Sequence, residues 1–111
     1  MSMQRAMLEG RDIQRFCTAL AQNKFLKVLR LGQNRLGDEG IDYLGEAISI
    51  NTTLEHLDLF GAEFANLGAR FLEHALRKNR TSLKSLRLAN TRVTVEQAEL
   101  LLDAVNSHVA L

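Results

Sequence analysis

Residues 54–59 read Leu-Glu-His-Leu-Asp-Leu, with close copies at 26–31 (Leu-Lys-Val-Leu-Arg-Leu) and 83–88 (Leu-Lys-Ser-Leu-Arg-Leu). The copies begin 28 and 29 residues apart. That fixed period removes most folds from consideration. A unit of this length cannot bury its own apolar face, so successive units must stack into a solenoid. We read 1–111 as one domain of repeats: a partial unit over 1–25, then full units over 26–53, 54–82 and 83–110.

Within the first full unit, Leu26, Leu29, Leu31, Asn34 and Leu36 follow the spacing L-x-x-L-x-L-x-x-N-x-L, and Gly40, Leu44, Ala47, Ile48 and Asn51 come after. The first half alternates, which suits a short strand with one buried face. The second half carries an apolar stripe at helical spacing: Leu44, Ala47 and Ile48, then Leu72, Ala75 and Leu76, then Leu101, Ala104 and Val105. Asp38 and Glu39 stand near one helix start, where negative charge is favoured. Asn51 and Asn79 follow two helix ends, where the expectation is a left-handed residue that stops the helix. A last helix is expected over 95–107.

Counting back by one period places Phe16, Ala19 and Leu20 on the slots of Leu44, Ala47 and Ile48, and predicts a helix over 12–22. Its strand is cut short, with Met1 and Met3 in two leucine slots. Counting forward from Leu83 by 28 reaches Leu111, where another strand would begin. Neither end carries the polar cap a solenoid needs. Two expectations follow: a fragment of a longer array, or a short array whose ends are covered.

The run Leu26–Gly40, with its Leu-Gly-Asp-Glu-Gly continuation, resembles the long leucine-rich repeats of the ribonuclease-inhibitor class. That class includes ribonuclease inhibitor, the NOD-like receptors and the Ran GTPase-activating proteins. The Asn51-Thr52-Thr53-Leu54 junction is similar to its repeat joints. The resemblance implies an α/β leucine-rich-repeat solenoid: a right-handed βα arc with a short parallel sheet on the concave face and helices on the convex face. It also implies a non-catalytic module that binds another protein across the concave face. Two departures stand out. The asparagine slot holds Asn34, then Ala62, then Thr91, and the helix-start glycine is Gly40, then Gly68, then Gln97.

Side by side, the strands form columns. Two alternate in sign: Lys27, Glu55, Lys84 and Arg30, Asp58, Arg87. Such columns either neutralise one another across strands or form a recognition ladder. The others are Val28, His56, Ser85; Gly32, Phe60, Ala89; and Gln33, Gly61, Asn90. Phe60 either anchors a partner, as interface aromatics do, or folds over the turn left open by Ala62. His56 and Asp58 share a strand face and are placed to touch, but no nucleophile or third orienting group accompanies them. The predicted partner-binding residues are Arg30, Gln33, His56, Asp58, Phe60, Arg87 and Asn90.

Other chemistry finds little support. Three histidines, His56, His74 and His108, fall on different unit positions and predict no metal site. Residues 32–37 are glycine-flanked without the following Lys-Ser/Thr of a phosphate loop. The triplets Asn51-Thr52-Thr53 and Asn79-Arg80-Thr81 read as helix termination rather than glycosylation. Arg77, Lys78, Arg80 and Lys84 cluster at a helix end, where positive charge is favoured. Formal charge is +1, and no apolar run is long enough to span a bilayer. No nucleic acid, membrane, metal or cofactor is expected as a ligand. The lone Cys17 and the absence of a signal-peptide core suit a cytoplasmic setting. A homo-oligomer through uncapped ends or an exposed edge strand is the alternative role, and regulation of a small GTPase a third.

Overall fold

The structure, a computed structural model, describes residues 11–78, 82–88 and 91–106. Helices and strands alternate: α1 (Arg11–Gln22), β1 (Val28–Arg30), α2 (Gly37–Ile50), β2 (His56–Asp58), α3 (Asn66–Lys78), β3 (Ser85–Arg87) and α4 (Val95–Asn106). The strands form one parallel sheet in the order β1-β2-β3. Register preserves the repeat: Leu29, Leu57 and Leu86 lie side by side, as do Arg30, Asp58 and Arg87. Each helix packs on the next one in the chain.

The leucine pattern explains where the core lies. Leu29, Leu31, Leu57 and Leu59 point inward from the strands and meet Leu44, Ile48, Leu72 and Leu76 of the helices, all at 1% exposure or less. Each such side chain is worth roughly 1.5–3 kcal/mol against leaving it in water. Ile13, Cys17, Leu20 and Ala21 extend this core into α1. Ala19, expected in that stripe, is exposed. Its counterpart Ala47 is buried because it faces α1 beside Cys17 and Ala21. On the same side of α1 no described helix lies.

The strands are three residues long, half the leucine motif, yet pairing runs past them. The Glu55 and His56 N–H groups donate to the Lys27 carbonyl at 2.8 and 2.9 Å. At the other end, the Leu31 N–H reaches the Asp58 carbonyl at 2.9 Å, and the Gln33 N–H reaches that of Phe60 at 3.0 Å. This close approach requires Gly32. A Cβ there would overlap the Phe60 carbonyl oxygen.

Asn51 corrects an expectation. It is not left-handed: φ is −66° and ψ 133°, an extended backbone. The residue is 1% exposed, and its side chain clamps two units together. Oδ1 accepts from the Thr53 and Leu54 N–H groups, both at 2.8 Å. Nδ2 donates to the carbonyls of Leu20 and Asn23 at 2.7 and 3.1 Å, across to the preceding unit. Asn23 makes the first half of this arrangement, accepting from the Phe25 and Leu26 N–H groups. Buried polar groups demand such partners. Asn79 lies outside the described residues.

The turns after the strands are closed in three ways. Asn34 Nδ2 donates to the Leu31 carbonyl at 2.8 Å. Ala62 has no such group, and its backbone N–H bonds the Leu59 carbonyl at 2.9 Å instead. In the last unit the Thr91 hydroxyl donates to the Leu88 carbonyl at 2.8 Å. Helix starts differ as well. Asp38 Oδ1 accepts the Ala65 N–H at 2.9 Å, so α2 caps the entry to α3. Gly68 leaves room for that carboxylate, since a Cβ there would lie 2.6 Å from Asp38 Oδ1. For α4, Gln97 replaces glycine and forms a capping box: Thr94 Oγ1 accepts from the Gln97 N–H at 3.3 Å, and Gln97 Oε1 accepts from the Thr94 N–H at 3.4 Å.

Candidate functional site

Because side chains alternate along a strand, burying the central leucines turns the flanking positions to the opposite face. Arg30, His56 and Arg87 are exposed there, and Asp58 is half-buried between its neighbours. These four line one shallow hollow of about 310 Å³ together with Val28, Leu57 and Ser85. The register of the parallel sheet is what brings them together, since they are as far apart in the chain as Arg30 and Arg87.

The two charged columns differ. In the first, Glu55 bridges both neighbours, 3.9 Å from Lys27 Nζ and 3.6 Å from Lys84 Nζ. That column largely neutralises itself. In the second, Asp58 is committed to one side. Its Oδ1 accepts the Phe60 N–H at 2.9 Å, and its Oδ2 lies 3.8 Å from Arg87 Nη1. Arg30 makes no ion pair among the described residues, so one guanidinium is left over.

Phe60 does not fill the turn at Ala62. It is half-buried, and the Arg87 guanidinium carbon sits 5.0 Å from its ring centroid. A cation over an aromatic face gains about 0.5–1 kcal/mol at an exposed site. Phe60 is therefore the platform that holds Arg87 up at the rim. Ala62, whose space it was expected to fill, is fully buried and closes its own turn.

His56 and Asp58 do not pair with each other. His56 Nδ1 lies 3.0 Å from Ser85 Oγ on the next strand, while both Asp58 oxygens are engaged elsewhere. The histidine thus lacks the carboxylate that would orient it for catalysis. Gln33 is exposed beside the hollow with φ at 60°, a left-handed backbone shared by Gly61 one unit on, where φ is 70°. Asn90, the third member of that column, lies outside the described residues. Ser85 was absent from the predicted set, although the strand register alone puts it beside His56.

Among the described residues, no group of three or more His, Cys, Asp or Glu side chains converges as a metal site would require. No helix among them is long and apolar enough to cross a membrane. Cys17 is 4% exposed, and burial pushes its thiol from 9.0 to about 12.

Comparison with known proteins agrees with this geometry. The family described as Leucine Rich repeat matches residues 22–45 and 51–72. The chain is 45% identical over 75 residues to the ribonuclease inhibitor of Sus scrofa, covering 67% of the chain and 16% of the inhibitor. The chain is a leucine-rich-repeat protein of the ribonuclease-inhibitor type. It is also 36% identical over 94 residues to the human NACHT, LRR and PYD domains-containing protein 13, covering 84% of the chain and 9% of that protein. Human leucine-rich repeat-containing protein 73 is 33% identical over 92 residues, 83% of the chain and 29% of that protein. The chain thus spans less than a third of the length of each of these relatives. A solved structure of the leiomodin-1 actin-binding site 2 shares the fold with a TM-score of 0.73 at 14% identity, over 99% of the chain and 80% of that structure. Leucine-rich-repeat domains generally mediate protein–protein interaction, and those of the ribonuclease-inhibitor type are typically non-catalytic.

Proposed function

We propose that the chain is a non-catalytic protein-interaction module that captures its partner across the concave face of the β1-β2-β3 sheet. One observation carries the reading. Arg30, His56, Asp58 and Arg87 come from three strands to one hollow, with Phe60 fixed beneath Arg87. None of them is needed to close the core, which the leucines on the opposite face complete. Gln33 extends the same surface from the turn after β1, and Asn90, which occupies the matching place in the repeat by sequence, is included in the proposed binding set. An aromatic–arginine pair beside a shallow polar hollow suits partner binding, since arginine and large aromatics dominate interface energetics.

The test is affinity capture with the wild-type chain and the double variant Asp58→Ala with Phe60→Ala as parallel baits. Proteins held by the wild type should be lost from the variant while its far-UV circular dichroism is unchanged. Equal capture by both baits refutes this surface.

A second reading, assembly with further copies or units, is favoured by α4. Val95, Leu100 and Leu102 are 73%, 47% and 46% exposed on this last described helix, apolar side chains that a further unit or copy would cover. Sedimentation over a concentration series tests it, and a monomer throughout rejects it. Nothing in the geometry favours regulation of a small GTPase over these two.

A further inference from the structure

Building on the concave-face reading, we propose that the partner presents an acidic segment whose carboxylates seat between Arg30 and Arg87. The charge inventory of the face comes first. Lys27, Arg30, Lys84 and Arg87 stand against Glu55 and Asp58, a formal surplus of +2 on one face of a chain whose total is +1. Positive charge is therefore gathered on this face, and the rest of the chain sums to −1.

How that surplus is arranged matters more than its size. Glu55 bridges both lysines, and Asp58 is held by the Phe60 amide and Arg87. Arg30 is exposed and has no ion pair among the described residues. Arg30 and Arg87 stand two strand spacings apart, roughly 10 Å, on opposite rims of the same hollow. Both side chains are planar forks suited to bidentate carboxylate recognition. Between them on β2 stands Asp58, turned to the Phe60 amide and to Arg87, and the row Val28, His56 and Ser85 runs alongside. Val28 supplies an exposed apolar side chain, and His56 and Ser85 two polar groups, for the stem and backbone of an incoming acidic residue.

A protein segment fits this surface better than a nucleic acid does. A single strand needs aromatic faces for its bases, and the Phe60 face is already covered by Arg87.

The test uses the isotopically labelled chain at low salt, titrated with three probes: a glutamate decapeptide, a lysine decapeptide and a thymidine decanucleotide. The glutamate peptide should shift the Nε–H signals of Arg30 and Arg87, and the lysine peptide should not. Arg30→Glu and Arg87→Glu should each weaken glutamate-peptide binding at least tenfold, and Arg30→Gln at least threefold. Arg70→Glu, the same charge change on the exposed surface of α3, should weaken it less than twofold. Equal losses in the Arg70 and Arg30 variants would reduce the effect to bulk charge and overturn the proposal. So would silence of both arginine signals, or tighter binding of the oligonucleotide. Should the Asp58/Phe60 double variant lose captured proteins while Arg30→Glu keeps them, the concave-face reading stands and the acidic partner falls. Loss in neither variant removes both.

Discussion

Replacing Asn51 by alanine should be among the most damaging single changes in this chain. Its side chain makes four hydrogen bonds to backbone groups, from 2.7 to 3.1 Å, in a position 1% exposed. At a net ~1 kcal/mol for each bond, the loss is about 4 kcal/mol. Water cannot readily replace the side chain at that burial, so two carbonyls and two amides are left with poorer partners. Asn23 is the internal comparison. It occupies the same slot one period earlier, is only half-buried, and accepts two backbone amides. Its alanine variant should lose about 2 kcal/mol on the same reckoning. Urea unfolding followed by circular dichroism measures both. With an m-value of ~2 kcal/mol/M, the Asn51→Ala midpoint should fall by about 2 M and that of Asn23→Ala by about half as much. Asn51→Asp keeps the acceptor and removes the donor, so it should not rescue stability. The clamp argument fails if Asn51→Ala shifts the midpoint no further than Asn23→Ala, or if Asn51→Asp restores the wild-type midpoint.

Three further outcomes follow from the geometry. Gly32→Ala should cost ~3 kcal/mol or more, because its Cβ meets the Phe60 backbone carbonyl. Gly61→Ala, strained at φ 70° but facing the movable Gln33 side chain, should cost only about 1–2 kcal/mol; thermal melts that reverse this order would contradict the close-approach account. Asp38→Ala should destabilise by about 1 kcal/mol, and hydrogen exchange should locate the loosening at the start of α3, in the next unit, rather than in α2. Cys17, held at about 12 against 9.0 when unfolded, should react with Ellman's reagent at pH 8 only as fast as the chain opens. Because folding raises this pKa, its contribution to stability is complete below pH 9 and is lost as the pH climbs towards 12; rapid labelling in native buffer, or unfolding midpoints independent of pH across that window, would refute the burial.

Much of this architecture was legible because leucine spacing is a direct readout of which face is buried. Leu29, Leu57 and Leu86 had to share a face, and the period then put Arg30, Asp58 and Arg87 in one row. Periodicity could not show which partner a charged side chain chooses. Asp58 had arginines on both sides in the sequence columns, and the contact with Arg87 is decided by the Phe60 ring beneath it. The Asn51 clamp was hidden for a related reason. Its donors and acceptors are backbone groups of two different units, and backbone groups leave no trace in residue identity. The recurrence of Asn23 at the same spacing and two residues before an exposed or half-buried junction was the available signal, and it suits helix termination equally well. Gln97 looked like a defect in the repeat, yet with Thr94 it supplies a cap that Gly68 leaves to Asp38.

The Asn51 clamp also bears on how such a chain can grow by gene duplication. Asn51 serves carbonyls belonging to the preceding unit, and Asp38 serves an amide belonging to the following one. Copying a stretch of one whole period, wherever it begins, delivers each donor opposite a waiting acceptor. Copying any other length sets an asparagine against the wrong residue and strands the carbonyls of Leu20 and Asn23. The polar groups thus add a second reading frame for recombination to that of the leucines: a strand leucine shifted by one residue turns to the wrong face, and a buried carbonyl is left without its amide.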